Sequence, residues 1–271
     1  MTNFNCKRFG KVVGCTVADN RKFYMQTAGA CAAIVIATVA INIFLVRNRD
    51  SVNYADMIAK GFFSASFIYL LTCGSLIVSN ISEKNKRISA FMLPASKLEK
   101  FIARYIHLLI FIPLAAFVGI VVGDVLQMAY SSFFVNHVSP VTSAFIDKWK
   151  LIFITEPFIS VSDLVKLYFA LIFIHSLYLL VGVVFRRHAW IKSNITIIFG
   201  SFILIFAVML ICKFILDAIY GKDMYSIIGV NTLWTYILED AAFALITEFN
   251  FWLTFRIYSR MQVAANKWYN L

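Results

Sequence analysis

Charge is what this sequence has least of: Asp, Glu, Lys and Arg make up only 14% of its 271 residues, where a water-soluble domain carries about a quarter. With 61% hydrophobic residues and 27 phenylalanines, a single water-soluble core could not hide the apolar surface. Nucleotide and catalytic signatures are missing as well. Gly10-Lys11 and Gly221-Lys222 lack the rest of a G-x-x-x-x-G-K-[ST] phosphate loop, and neither H-E-x-x-H nor G-x-S-x-G occurs. Such a chain is not expected to hydrolyse ATP, or to be an enzyme, by itself. His107, His137, His175 and His188 show no metal spacing, and the five cysteines form no C-x-x-C. Cys31, Cys73 and Cys212 fall in apolar blocks and Cys6 and Cys15 in the basic N-terminal stretch, as small filler. No internal repeat relates the two halves.

What the chain does have is apolar blocks about 20 residues long, the length that crosses ~30 Å of hydrocarbon as a helix. The expectation is an all-α membrane protein, one transmembrane domain over 1–271, with six spans. They run from Met25 to Val46, Gly61 to Ser79, Tyr105 to Leu126, Leu164 to Phe185, Ile195 to Phe214 and Thr235 to Ile257. Glu239, Asp240 and Glu248 interrupt the last, so five spans with a re-entrant final segment is the alternative. The first block is too long for a signal peptide, and no small-x-small cleavage site follows Val46, so it is expected to be retained.

Net charge is +11, but the basic residues sit in short segments between apolar blocks, where they set topology and do not suggest nucleic acid. Most of them fall on one side. Lys7, Arg8, Lys11, Arg21 and Lys22 precede the first block, and Lys84, Lys86, Arg87, Lys97, Lys100 and Arg104 follow the second. Arg186, Arg187 and Lys192 follow the fourth, and Arg256, Arg260 and Lys267 close the chain. The positive-inside rule then places both termini in the cytoplasm.

Two outer connections stand out. Residues 131–163 are rich in Phe, Ile and Trp and are expected to lie partly on the membrane surface. Residues 215–234 hold two short apolar runs broken by Gly221-Lys222-Asp223, which suits a pair of short helices dipping into the outer leaflet. Ionisable residues inside apolar blocks are expensive and often functional. Glu248 and His175 both fall near mid-membrane. They either line a polar pathway or relay, or each hydrogen-bonds to a neighbouring helix. Asp124, Lys213, Glu239 and Asp240 lie near the outer boundary and are expected to reach water. Pro113 is expected to kink the third span.

The densest local information lies in residues 80–104, between the second and third spans. Pro94 ends any preceding helix. Ser96 with Glu99 three residues later has the spacing of a capping box, and opens an amphipathic helix with Leu98, Phe101, Ile102 and Tyr105 on one face. Upstream, Ile88, Phe91 and Met92 make one apolar turn. The result is an elbow: short helix, proline break, capped helix, membrane. A partner could grip such an elbow. Alternatively, Lys86 and Arg87 anchor it to anionic lipid head groups.

The run R-x-S-x-x-x-L-P-x-S-x-x-E-K-F, here Arg87, Ser89, Leu93, Pro94, Ser96, Glu99, Lys100 and Phe101, resembles the second cytoplasmic loop of ABC transporter type 2 permeases. It looks most like stand-alone bacterial permeases that pair with a separate ATPase. Residues 1–24, with Phe9, Val12, Val13 and Val17 ahead of Asn20-Arg21-Lys22, are similar to the amphipathic entry helix of that family. The resemblance implies a coupling helix that docks on the ATPase through Arg87, Phe91, Met92, Leu93, Pro94, Ser96 and Glu99. It implies ATP and Mg on that partner and none here, a second permease copy or a paralogue in the assembly, and location in a bacterial inner membrane. A non-transporting scaffold or sensor subunit, and an intramembrane enzyme using Glu248 and His175, are the competing readings.

Overall fold

The computed structural model describes residues 4–45, 54–79, 88, 92–133, 140–153, 161–185, 188–220 and 233–261. Among them there are helices and no strand. In chain order these are α1 (Cys6–Asp19), α2 (Arg21–Leu45), α3 (Tyr54–Thr72), a 3-10 turn (Cys73–Leu76), α4 (Lys97–Ile106), a π turn (His107–Phe111), α5 (Ile112–Ser131), α6 (Val141–Phe153), α7 (Val161–Val184), α8 (Ala189–Tyr220) and α9 (Leu233–Arg260). Four segments are long and apolar enough to cross a membrane: Arg21–Ile41, Ala55–Leu76, Lys97–Ser131 and Leu164–Val184. The protein is therefore a multi-pass membrane protein.

The second span begins earlier than the sequence suggested, at Tyr54 and not near Gly61. Its charged first turns are accommodated because Asp56 pairs with Lys60 one turn on (2.8 Å) and with Lys148 of α6 (2.6 Å). The expected outer pair of short helices also changes. Residues 215–220 continue α8, which holds no Gly or Pro between Ser201 and Tyr220, and residues 221–232 lie outside the described residues.

The chain forms two compact units. The first comprises Met1–Leu70 and Leu93–Val161. Its frame is α2 against α5, packed backbone to backbone. A Cβ on Gly119 would lie 2.3 Å from the Ala28 carbonyl oxygen, and one on Gly123 would lie 2.8 Å from Ala32 Cα. Lipid supplies no hydrophobic drive between helices, so close approach of small residues is what holds such a pair. Val35, Val39, Ala59 and Ile120 continue this contact into a buried apolar cluster.

Helix α6 closes that cluster. Val141 and Phe145 are buried in it, Phe145 meets Phe117 at 6.2 Å, and Trp149 meets Phe63 edge to face at 5.3 Å. So the aromatic part of residues 131–163 packs as a helix into protein, while Ile146 and Leu151 stay exposed. Asp124 explains how α6 is held. Its carboxylate accepts from the Val141 and Thr142 amides (both 2.9 Å) and from Gln127 Nε2 (2.8 Å). Those amides have no intrahelical acceptor, so a carboxylate from α5 caps α6. The expectation that Asp124 reaches water fails for this reason: it is buried and satisfied by protein.

The second unit comprises Leu71–Met92 and Ser162–Leu271. The 3-10 turn lies flat on α7, where a Cβ on Gly182 would sit 2.3 Å from Ser75 Cα. Helices α7 and α9 meet through Phe173 and Phe243, edge to face at 5.5 Å. Tyr178 of α7 donates to Asn194 Oδ1 of α8 at 3.0 Å.

Candidate functional site

The elbow is built around one carboxylate. Ser96, in extended backbone, caps α4: its hydroxyl accepts from the Glu99 amide (3.2 Å), and Glu99 Oε2 accepts from the Ser96 amide (2.9 Å). The capping box read from spacing is therefore present. Glu99 does more than close it. Arg8 of α1 forks onto the same carboxylate, Nε to Oε2 and Nη2 to Oε1, both 2.7 Å. The Asn5 amide donates to Oε1 at 2.8 Å. Asn5 is itself the N-cap of α1, its side chain accepting from the Lys7 and Arg8 amides. One side chain thus holds the cap residues of two helices.

Glu99 is 0% exposed, and four donors make its burial tolerable. This end of the chain lies outside the hydrocarbon. Lys97–Ser131 is 35 residues, far more than the ~20 a span needs, and its basic residues, Lys97, Lys100 and Arg104, all sit at its start. The Arg8 guanidinium, aided by the Asn5 and Ser96 amides, lowers the Glu99 carboxyl from 4.5 to about 2. Arg8 is raised in turn by the same bond.

Below this junction the helix changes pitch. The π turn His107–Phe111 precedes Pro113, which stands in the first turn of α5. Proline offers no N–H to the preceding turn, and a widened turn relieves the mismatch. The Tyr69 hydroxyl donates to the Leu108 carbonyl at 2.9 Å. The Tyr24 hydroxyl pairs with His107 Nδ1, their rings edge to face at 5.4 Å. So the irregularity expected at Pro113 takes the form of a π turn with a side chain bonded to it.

The structure places the sequence-selected residues unevenly. Arg87, Ser89 and Phe91 lie outside the described residues. Met92 is helical and 80% exposed, and Ile88, one turn earlier, is also helical and exposed. Leu93 is half-buried and Pro94 exposed, and the chain bends through them before Ser96. The buried residues of α4 are Glu99 and Ala103 on one face and Phe101 on another, with Phe101 stacked on Tyr105 (centroids 6.5 Å apart). Leu98, expected on that face, is exposed. The inward direction is set by the Glu99 bond to α1, which outweighs burying one leucine.

Burial also separates the two intramembrane candidates. His175 is buried on α7, whereas Glu248 is exposed on α9. The polar side chains of α9 that turn inward, among the described residues, are Thr247, Asn250 and Thr254. Asn250 Nδ2 donates to Ser176 Oγ at 3.0 Å, and Ser176 donates to the Phe173 carbonyl at 2.7 Å. The spacing of Thr247, Asn250 and Thr254 on one helical face was the signal available in the sequence for this seam. Arg8 had no comparable signal.

Comparison with protein-family models, with curated proteins and with solved structures finds no match for this chain.

Proposed function

We propose that this chain is the membrane-spanning permease subunit of an ATP-driven ABC transporter. It works through its elbow with a separate ATPase that carries ATP and Mg, and exports a hydrophobic or amphipathic substrate. In this reading α8 and α9 supply the fifth and sixth spans, both termini are cytoplasmic, the membrane is a bacterial inner membrane, and two permeases assemble, either two copies of this chain or this chain with a paralogue. The chain itself is not an enzyme.

The observation that carries the reading is the junction at Glu99. A helix that transmits force needs a rigid link to the membrane, and α4 has one. It is capped by Ser96, tied to α1 by the Arg8 fork, and continuous through the π turn with the third span. The exposed apolar side chains of Ile88 and Met92 lie just ahead of the proline break, where a partner groove would take them. A loop that only anchored to lipid would require the basic residues but no buried, four-donor carboxylate.

The test is to purify the tagged chain from its native membrane under mild detergent and identify what comes with it. An ATPase in stoichiometric amount supports the reading. Its absence, with the chain folded and other proteins retained, supports a scaffold or sensor subunit instead.

A further inference from the structure

Inside a helix, a serine or threonine hydroxyl with no other partner donates back to the carbonyl three or four residues earlier. Many hydroxyls in the described helices follow this habit, although the buried hydroxyls of Thr142 and Ser193 have no partner among the described residues. Thr16 donates to Val12 (2.9 Å), Thr27 to Phe23 (2.9 Å), Thr38 to Ile34 (2.7 Å) and Thr254 to Asn250 (2.7 Å). Thr247 does not. It is 8% exposed, in the middle of α9, and its Oγ1 is buried with no hydrogen-bond partner among the described residues. The hydroxyl forgoes an acceptor within its own helix, and in an apolar surrounding that is unfavourable unless something else meets it.

Its neighbours say what that something is. Asn250 lies one turn on along the same face, 5% exposed, and its amide reaches across to fully buried Ser176 of α7. Residues three apart on a helix stand about 5–6 Å from each other at Cβ, the span that one bridging oxygen fills. Thr247, Asn250 and Ser176 carry no charge, and Glu248 faces away on the exposed side of α9. A bare ion would find no counter-charge in these three groups. One turn earlier the seam is closed by Phe173 against Phe243, so the polar spot is bounded by apolar surface.

We propose that Thr247, Asn250 and Ser176 form a binding site between α7 and α9 for one neutral hydroxyl-type group. Two sources offer that chemistry: a single water molecule, or the hydroxyl end of an alkyl amphiphile entering from the bilayer. The site belongs to the second unit alone and does not depend on the elbow or on any ATPase.

Thermal unfolding in lipid nanodiscs tests it, with the wild type, Thr247→Val and Thr247→Ser compared with no additive, with 1-dodecanol and with dodecane. Valine keeps the shape and removes the hydroxyl, and serine keeps the hydroxyl. An occupied site predicts a midpoint lower by about 2–4 °C for the valine variant and little change for serine. If water is the guest, neither additive alters this difference. If an amphiphile is, 1-dodecanol but not dodecane raises the midpoint of the wild type and the serine variant and leaves valine unmoved. A valine variant that fails to accumulate while the serine variant accumulates also supports the site. The proposal is overturned if Thr247→Val is as stable as the wild type or more so, if 1-dodecanol shifts all three proteins equally, or if the serine variant also fails to accumulate.

Discussion

Arg8 and Glu99 stand 91 residues apart in the chain and meet through two parallel 2.7 Å bonds, so the start of α1 and the start of α4 are one structural junction. Because the Glu99 carboxyl is lowered in the folded state, its contribution is fully present above its ordinary value of 4.5. That contribution is lost as pH falls through about 2. Spin labels at Gly14 and Lys97 in a cysteine-free background should report a fixed distance at neutral pH that broadens across this window. Glu99→Gln should show the broad distribution already at neutral pH. Arg8→Lys should be intermediate, since an ammonium keeps the charge and loses the fork. A sharp, unchanged distance in Glu99→Gln would sink the junction.

Two glycines separate packing from propensity. Gly119→Ala puts a methyl against the Ala28 backbone, whereas Gly61→Ala meets nothing within 4 Å. The first should push α2 and α5 apart and lower the unfolding midpoint. The second should be neutral or stabilising by up to about 1 kcal/mol, the helix preference for alanine. Equal effects in detergent melts would mean the backbone contact is not the frame of the first unit.

Asp124→Asn replaces a carboxylate that accepts from two α6 amides with a group that turns one donor toward a donor. The expected loss is about 1–3 kcal/mol, read by thermal unfolding, with new protease cleavage near residues 134–140. Unchanged cleavage would show that α6 is held by Phe145 and Trp149 alone.

For the elbow, truncating Phe91 and Met92 to Ala together should weaken ATPase co-purification roughly thirty-fold, taking about 2 kcal/mol for a buried interfacial anchor. The permease should still accumulate in the membrane. Ser96→Ala should do less, since loss of an N-cap costs about 1 kcal/mol. If replacing Lys86 and Arg87 by Gln does the damage and the double truncation is mild, the loop is a lipid anchor.

Single cysteines at Lys97, His188 and Ser143, all exposed, test the six-span reading. The first two should label from the cytoplasmic face and the third from outside. Labelling of Lys97 and Ser143 from the same side rules the topology out.

What the sequence disclosed was local. Ser96 and Glu99 are three residues apart, and a capping box is a property of three-residue spacing, so the residues alone reveal it. The first four spans were equally legible, because apolar length is a property of a window. What joined the elbow to α1 was not, since nothing near residue 8 distinguishes Arg8 from its basic neighbours. Asp124 misled for a related reason: depth along the helix suggested water, and only folding brings the α6 amides to it. Direction was not legible either: Glu248 is exposed, whereas Thr247, one residue away, turns inward.

The π turn sets the rotational phase of the third span. An extra residue in one turn rotates everything after it by about 100° relative to everything before it. Glu99 must aim at α1, while Gly119 and Gly123, on the far side of the turn, must aim at α2. A continuous α-helix with this sequence would satisfy one aim and miss the other. The widened turn works as a phase shifter between two fixed bearings, and Tyr24 and Tyr69 hold it in that setting through His107 and the Leu108 carbonyl. Removing one residue from His107–Phe111 would let a plain α-helix meet both bearings, whereas straightening the turn at full length would leave both interfaces chemically intact and rotationally incompatible.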